Sequence, residues 1–352
     1  MPFRDLIGQP HARRLLQGAL RSGRISHAYL FVGPAGVGRQ TAARAFAQAL
    51  LCTAGGGDDA CGTCPACRKV AVGTHPDLRV ITPGRAESGG ERRAVAIDQV
   101  RDLKHEAAYP PYEAKWKVFI IVDTEQMRAE AANSLLKVLE EPPSRSVIIL
   151  LSESTEALVP TLVSRSQLVR FSFVPSAAVA EALVSRAGVP PPRARYLAAI
   201  AGGRVGAALD AAGAGDEPFT RRAEVLAVLR AVERGDVISA LDAAEAVARQ
   251  RDEVERWLDI AQWWFRDLVV WRAAGDPDLL TNRDCEGDVA EWAGRRRAED
   301  LRRVVDAIEA AKAALRHNGN PRVILEDLFV RMGAAPEAPA PRPGIPSPAT
   351  GD

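Results

Sequence analysis

The sequence predicts an α/β protein, with a parallel sheet and its flanking helices in the first half and helices alone in the second. Three observations carry this. Short apolar runs at Ala28–Val32, Leu78–Ile81, Val118–Val122, Val147–Leu151 and Leu168–Phe171 alternate with helix-patterned stretches up to about residue 174. Each run is apolar along its whole length, the pattern of a strand covered by helices on both faces. From Pro175 onward the strand signal stops and Ala-rich helical patterning takes over.

The first run is followed by a glycine loop, Gly33-Pro34-Ala35-Gly36-Val37-Gly38, and then by an Ala-rich helix from Ala42 to Leu51. Next comes a cysteine cluster, Cys52, Cys61, Cys64 and Cys67, and then the run Leu78–Ile81. Residues 82–93, rich in Gly, Arg and Glu, read as a surface loop, and a helix is expected to begin near Ile97. Its Arg101 and Lys104 read either as phosphate contacts to DNA or, more plainly, as a solvated face. The strand at 118–122 ends in Asp123-Thr124. A helix through Asn133–Leu139 shows apolar residues at 132, 135, 136 and 139, and Pro142-Pro143 stop it. Ser164-Arg165-Ser166-Gln167 precedes the last strand.

The helical half divides at its breakers. Residues 176–213 are interrupted by Pro190-Pro191-Pro192 and Gly202-Gly203, and 218–333 is a longer stretch whose segment Trp257–Phe265 reads as core. The expected domains are a sheet domain at 1–174 with a metal module at 52–67, a small helical domain at 175–216 and a larger helical domain at 217–333. The tail at 334–352, rich in Pro and Ala without apolar periodicity, is expected to be disordered.

Composition narrows the function. Of 352 residues, 47% are hydrophobic and 26% charged, as in soluble globular proteins. The apolar runs are far shorter than a membrane span, and Met1–Asp5 lacks the pattern of a secretory signal, so a cytoplasmic location without membrane attachment is expected. A net charge of +1 argues against gripping nucleic acid by bulk charge.

The glycine loop sits between strand and helix, where backbone N–H groups can cradle phosphates. A working loop follows its last glycine with Lys, which reaches the β/γ-phosphates, and then with Ser or Thr, whose hydroxyl holds Mg²⁺. Here those places hold Arg39 and Gln40, and Thr41 stands one residue late. Arg39 keeps the charge as a bulkier planar fork, whereas Gln40 has no hydroxyl to offer. An ATPase of this design also ends its third strand in Asp-Glu, to steer Mg²⁺ and to polarise water. Asp123 is present, Thr124 replaces the Glu, and Glu125 would point elsewhere if the strand stays extended. The residues thus describe a nucleotide site at Gly33, Gly36, Gly38, Arg39, Gln40, Thr41 and Asp123 that keeps its frame and lacks its reagents. Whether nucleotide still binds there is left open.

Four cysteines within sixteen residues suit a tetrahedral metal, most often Zn²⁺ on four sulfurs, with an iron–sulfur cluster as the lesser alternative. Four protein ligands leave no open position, so the metal would be structural. Cys285 reads as an ordinary buried or free thiol.

Several motifs together resemble the clamp-loader branch of the AAA+ ATPases, and within it the delta-prime type of DNA polymerase III subunit. They are Phe3–Gln9, Ser26–Phe31, the cysteine cluster behind the loop helix, His75-Pro76-Asp77, the run Ala132–Pro143 and Asn320–Glu326. The resemblance covers residues 1 to about 333. It implies a RecA-like sheet domain with a zinc module, a helical lid and a helical collar that assembles with motor subunits and a delta subunit into a heteropentamer. That complex would place a sliding clamp on primed DNA as part of a DNA polymerase (nucleotidyltransferase) holoenzyme. In that family Ser-Arg-Cys carries an arginine finger that enters a neighbour's ATP site, which implies the same catalytic role in trans for Arg165, although Ser166 departs from the pattern. Ser152 matches the family's sensor-1 position and Arg204 its sensor-2 position. Motor members keep the Lys, Thr and Glu, so the losses at 39, 40 and 124 favour the delta-prime type without intrinsic ATPase activity. The alternatives are an autonomous motor ATPase of the same family and a zinc-dependent nucleic-acid-binding protein.

Overall fold

The structure, a computed structural model, describes residues 2–55, 57–84, 94–234, 237–249 and 251–333. The expected disordered tail at 334–352 and most of the expected surface loop at 82–93 lie outside the described residues.

Residues 1–186 and 201–210 form one compact unit. In chain order it comprises α1 (Pro10–Ser22), β1 (Ala28–Val32), α2 (Arg39–Leu51), α3 (Pro65–Val72), β2 (Leu78–Ile81), α4 (Ile97–Ala107), β3 (Lys117–Ile121), α5 (Ala129–Glu140), β4 (Ser146–Ser152), α6 (Pro160–Ser164), β5 (Gln167–Arg170) and α7 (Ser176–Ala187). The strands make one parallel sheet in the order β2-β3-β4-β1-β5, with Ala28 opposite Ile148, Tyr29 opposite Gln167 and Val118 opposite both Leu78 and Val147. Every strand predicted from its apolar run is present. The third begins one residue early, at Lys117, because Lys117 N–H joins Arg145 O at 2.8 Å.

Successive strand residues feed opposite faces, as pleating requires. Tyr29, Phe31, Val118, Ile120, Val147, Ile149 and Val169 pack with Leu16 of α1 and Phe46 of α2. Leu30, Val32, Phe119, Ile121, Ile148 and Leu150 pack on the other side with Val100 and Leu103 of α4 and Leu135 and Leu139 of α5. This two-sided burial explains why the runs are apolar throughout. The amphipathic spacing of α5 has the same origin, since Leu135 and Leu139 are one turn apart on its buried face.

The order of the strands places the carboxyl ends of β1, β3 and β4 side by side. In open parallel sheets this edge is where ligands bind, because each strand delivers a loop there and helix N-termini converge on it. The glycine loop leaves β1 there, Asp123 follows β3, and Ser152 closes β4.

Among the described residues, 187–200 and 211–333 form the second unit, which is wholly helical. It contains α8 (Pro191–Ile200), α10 (Glu217–Arg234), α11 (Val237–Ala248), α12 (Arg251–Ala274), α13 (Glu286–Arg295), α14 (Ala298–Arg316) and α15 (Pro321–Gly333), while α9 (Val205–Gly213) begins in the first unit. Leu258, Ala261, Trp264 and Phe265 of α12 are buried at its centre, with Trp264 edge-on to Trp292 at 5.7 Å and Trp257 5.1 Å from Phe329. The charged interior is paired. Arg222 reaches Asp284 and Asn282 and lies 4.3 Å over the Tyr196 ring, and burial pushes the Tyr196 hydroxyl up to about 12. Cys285 is half-buried against this core, and burial raises its thiol. Among the described residues no helix is long and apolar enough to cross a membrane.

Candidate functional site

The glycine loop is shaped by steric need. A Cβ at Gly33 would lie 2.4 Å from Phe171 O, closer than any side chain allows, and Gly36 (φ 76°) and Gly38 (φ 102°) take left-handed backbone. Gly38 caps α2, and Ala42 N–H donates to its carbonyl at 2.9 Å. The loop is held from two sides. Gln9 Nε2 donates to Val37 O at 3.1 Å and to Ser172 O at 2.6 Å, and Gly206 N–H donates to Gly36 O at 2.9 Å. The loop is thus held in a fixed shape with the N-terminus of the 13-residue α2 behind it, a geometry in which backbone N–H groups can meet an anion.

The side chains around the cradle do not supply the usual chemistry. Arg39 is only 8% exposed, and its guanidinium turns to Glu153, with Nη2 3.9 Å from Oε1. Nη1 finds no hydrogen-bond partner among the described residues. Gln40 faces solvent and Thr41 is half-buried. Thr124, 2% exposed, donates its hydroxyl back to Ile121 O at 3.3 Å, so a bonded hydroxyl and not a carboxylate follows Asp123 in the chain. The Asp123 carboxyl is raised above the ordinary range, chiefly by burial and then by Glu125, with Arg39 opposing. Ser152 is fully buried, and its hydroxyl donates to Ser154 O at 2.8 Å. Arg204 is exposed, with its Cβ near Gly36 and its guanidinium 5.8 Å from the Phe173 ring.

Glu125 departs from the sequence expectation. The chain does not stay extended after β3. Asp123 turns left-handed (φ 49°), and residues 124–126 form a short 3₁₀ turn. That turn brings Glu125 back towards Asp123, and Glu125 Oε1 accepts the Glu153 N–H at 3.4 Å. A positive φ at a non-glycine residue carries little sequence signal, although Asp is among the types that tolerate it.

Arg165 stands elsewhere, as the C-cap residue of α6 just before β5. Its side chain is 36% exposed. Nη2 pairs with Glu140 Oε1 at 2.8 Å, and Nη1 donates to Thr161 O at 3.2 Å.

The four cysteines meet as the spacing predicts. All four sulfurs lie within 4.8 Å of one another, with Cys52–Cys64 at 3.9 Å and Cys61–Cys67 at 3.8 Å. A tetrahedron with metal–sulfur bonds of about 2.3 Å has edges of about 3.8 Å, so the cluster fits a tetrahedral ion. Backbone N–H groups already point at the sulfurs: Thr63 and Cys64 donate to Cys61 Sγ, and Cys67 donates to Cys64 Sγ. These bonds hold the Cys61 thiol low. At Cys64 burial pushes the thiol up, but hydrogen bonds from Thr53 and Cys67 outweigh it and bring it down to about 5. Burial raises Cys67. The four residues can hold a metal ion such as zinc.

The module is anchored to its surroundings by groups that sequence reading noted only as a motif. Asp77, 1% exposed, accepts N–H bonds from Tyr112, Glu113 and Ala114 at 2.6, 2.9 and 2.9 Å. Buried His75 accepts the Asp77 N–H on Nδ1, and Glu113 also pairs with Lys69 of α3 at 2.7 Å. Asp59 takes the Phe3 and Arg4 N–H groups, tying the cysteine loop to the N-terminal segment.

The profile of the family described as "DNA polymerase III, delta subunit" matches residues 8–175. The delta' subunit of Bacillus subtilis is 28% identical over 327 residues, covering 92% of this chain and 96% of that subunit. These likenesses are those of a DNA polymerase III clamp-loader family member. Among other relatives, the delta' subunit of Pseudomonas aeruginosa is 41% identical over 140 residues, covering 40% of this chain and 41% of that subunit. The gamma/tau subunit of Mycobacterium tuberculosis is 29% identical over 357 residues, covering 94% of this chain. The chain spans only 60% of the length of that gamma/tau relative.

Proposed function

We propose that the chain is the delta-prime type of clamp-loader subunit, a member of a heteropentamer with motor subunits and a delta subunit that opens a sliding clamp and places it on primed DNA. In this reading residues 1–174 are the RecA-like domain, 175–216 the lid and 217–333 the collar through which the pentamer assembles. The metal on Cys52, Cys61, Cys64 and Cys67 is zinc, and it is structural, since all four ligand places are taken by sulfur.

The observation that carries the reading is the intact cradle without its reagents. Arg39 pairs with Glu153, Gln40 is exposed and Thr124 is bonded to its own strand, which supports a site that does not hydrolyse nucleotide even though Glu125 lies nearby. Asp123, Ser152 and Arg204 are then the remnants of a nucleotide site and not a working one. Arg165 retains the chemistry that a neighbour would need. A fixed guanidinium directed at a transferring phosphoryl group lowers its barrier by charge alone, and such fingers contribute on the order of 10³–10⁵ in rate.

A second reading, an autonomous motor, is favoured by the similarity to gamma/tau subunits over 94% of the chain. The two are separated by measuring ATP turnover of the isolated chain and of the complex reconstituted with motor and delta subunits. The delta-prime reading expects no turnover alone and a DNA-stimulated rate in the complex that falls at least tenfold in Arg165→Ala. Steady turnover by the isolated chain would establish the motor instead. Tight, salt-sensitive DNA binding by the isolated chain would favour the remaining alternative, a zinc-dependent nucleic-acid-binding protein, against which the net charge of +1 speaks.

A further inference from the structure

We propose that Glu140 is a latch on Arg165, a positioning residue that holds the guanidinium against its own subunit until a phosphoryl group displaces it. The proposal rests on the trans role of Arg165 and adds to it a resting state and the group that sets it.

The geometry separates a rigid mount from a loosely held head. The mount is the turn at the end of α6. Pro160 fixes the first position of that helix, Leu162 is 1% exposed in the core, Ser166 N–H donates to Val163 O, and the hydroxyls of Ser164 and Ser166 donate to Thr161 O and Leu162 O at 3.1 and 2.9 Å. The head is the guanidinium, reached by solvent and restrained by two acceptors of its own chain, Glu140 Oε1 at 2.8 Å and Thr161 O at 3.2 Å. Of these only Glu140 is charged.

Glu140 is fixed in place by the sequence around it. It is the last residue of α5, and Pro142-Pro143 prevent the helix from running on. The negative end of a 12-residue helix dipole therefore lies behind its carboxylate, and both draw a cation to the same point. The side chain is half exposed, however, so the pair is screened by water. An exposed ion pair of this kind restrains its partner weakly. A phosphoryl group, with more charge and several oxygens in one plane of approach, offers the same guanidinium a stronger bidentate site. The exchange releases Arg165 without moving its backbone. The restraint corresponds to about a two- to fivefold change in the availability of the guanidinium.

The test uses Glu140→Gln, which keeps the shape and removes the charge, with two independent readouts. In the isolated full-length chain, phenylglyoxal should modify Arg165 about two- to fivefold faster in Glu140→Gln than in wild type, read by mass spectrometry. In the reconstituted complex the same variant should raise kcat by a similar factor with KM for ATP unchanged. Glu140→Asp, which restores the charge, should return both values towards wild type. An unchanged modification rate overturns the latch, and so does a fall in kcat, which would mean that Glu140 orients the finger for use. If Arg165→Ala leaves turnover of the complex untouched while Glu140→Gln still speeds modification, the trans role fails and the resting contact stands.

Discussion

The cysteine module and the glycine loop lie close together in the sequence and on the same helix, yet they have kept opposite things. In the module the ligands are complete: four sulfurs at tetrahedral spacing, with backbone N–H groups already directed at them. In the loop the frame is complete and the residues differ from those of a working site. Gly33, Gly36 and Gly38 meet backbone and steric demands that favour glycine, while positions 39, 40 and 124 hold Arg, Gln and Thr where such a site has Lys, Ser or Thr, and Glu. The contrast shows that frame and chemistry are encoded separately. Glycines are held by what surrounds the backbone: Phe171 against Gly33 and Arg204 against Gly36. Those constraints persist whether or not nucleotide is turned over. Helix α2 serves both regions, since its first turn faces the loop and its Gln48 donates to Cys67 O at 2.9 Å.

The largest effect should come from breaking the complete side. Removing one ligand by Cys67→Ser should abolish stoichiometric metal binding, whose free energy in small zinc modules is on the order of 10 kcal/mol. Elemental analysis and limited proteolysis between residues 52 and 73 would check this, and a variant that keeps its metal and its protection would remove the contrast. Acid should act in the same direction. The folded-state thiol of Cys64 is depressed to about 5, so the stabilisation carried by its thiolate is present above the ordinary thiol range and disappears as pH falls through about 5. Acidification should therefore promote metal release, read with a chelating dye across a pH series.

Next in size is Arg165→Ala, which tests whether the chemistry missing from the loop is supplied to another molecule. The neighbour's site should lose the finger's contribution, read as a fall of at least tenfold in DNA-stimulated turnover of the complex. Retention of full rate would leave this chain with an idle loop and no finger, and so with an architectural role alone.

A smaller, purely structural effect is expected at Asp77, which supports the module from behind. Its buried carboxylate accepts three N–H bonds, and Asp77→Ala would leave all three donors unpaired. About 3 kcal/mol of unfolding free energy should be lost, measured by denaturant titration. A loss no larger than that of an exposed aspartate would show that the 110–116 loop rearranges to satisfy itself.

Much of this was legible in the sequence because burial leaves a periodic mark. The strands were readable because both faces of the sheet are covered, which makes every residue of Ala28–Val32 apolar. The cysteine cluster was readable because a tetrahedral ion needs its ligands at short, fixed spacing. Glu125 was not, because its placement depends on the left-handed turn at Asp123, a single dihedral angle that no pattern announces. The Arg165–Glu140 contact was not, because it joins the ends of two helices 25 residues apart in sequence and neither end is periodic. The reading of Asp77 as part of a motif gave its position and not its role, since its partners at 112–114 are backbone groups that any sequence could provide.

The smallest effect is expected from rebuilding the loop, and it is the one that most sharpens the contrast. If frame and chemistry are separable, the frame should accept its reagents back. Arg39→Lys removes the fork now drawn towards Glu153, Gln40→Thr restores a hydroxyl beside the loop, and Thr124→Glu returns a carboxylate next to Asp123. The triple variant should bind a fluorescent ATP analogue about tenfold more tightly than wild type, about 1.4 kcal/mol, and only when Mg²⁺ is present. Thr124→Glu alone should gain nothing, because a base has no work without a held phosphate and its carboxylate would join Glu125 and Glu153 in repelling one. A wild-type chain that already binds the analogue as tightly as the triple variant would show that Arg39, with its unpartnered Nη1, holds phosphate in the lysine's place. The loop would then have exchanged its reagents and not lost them.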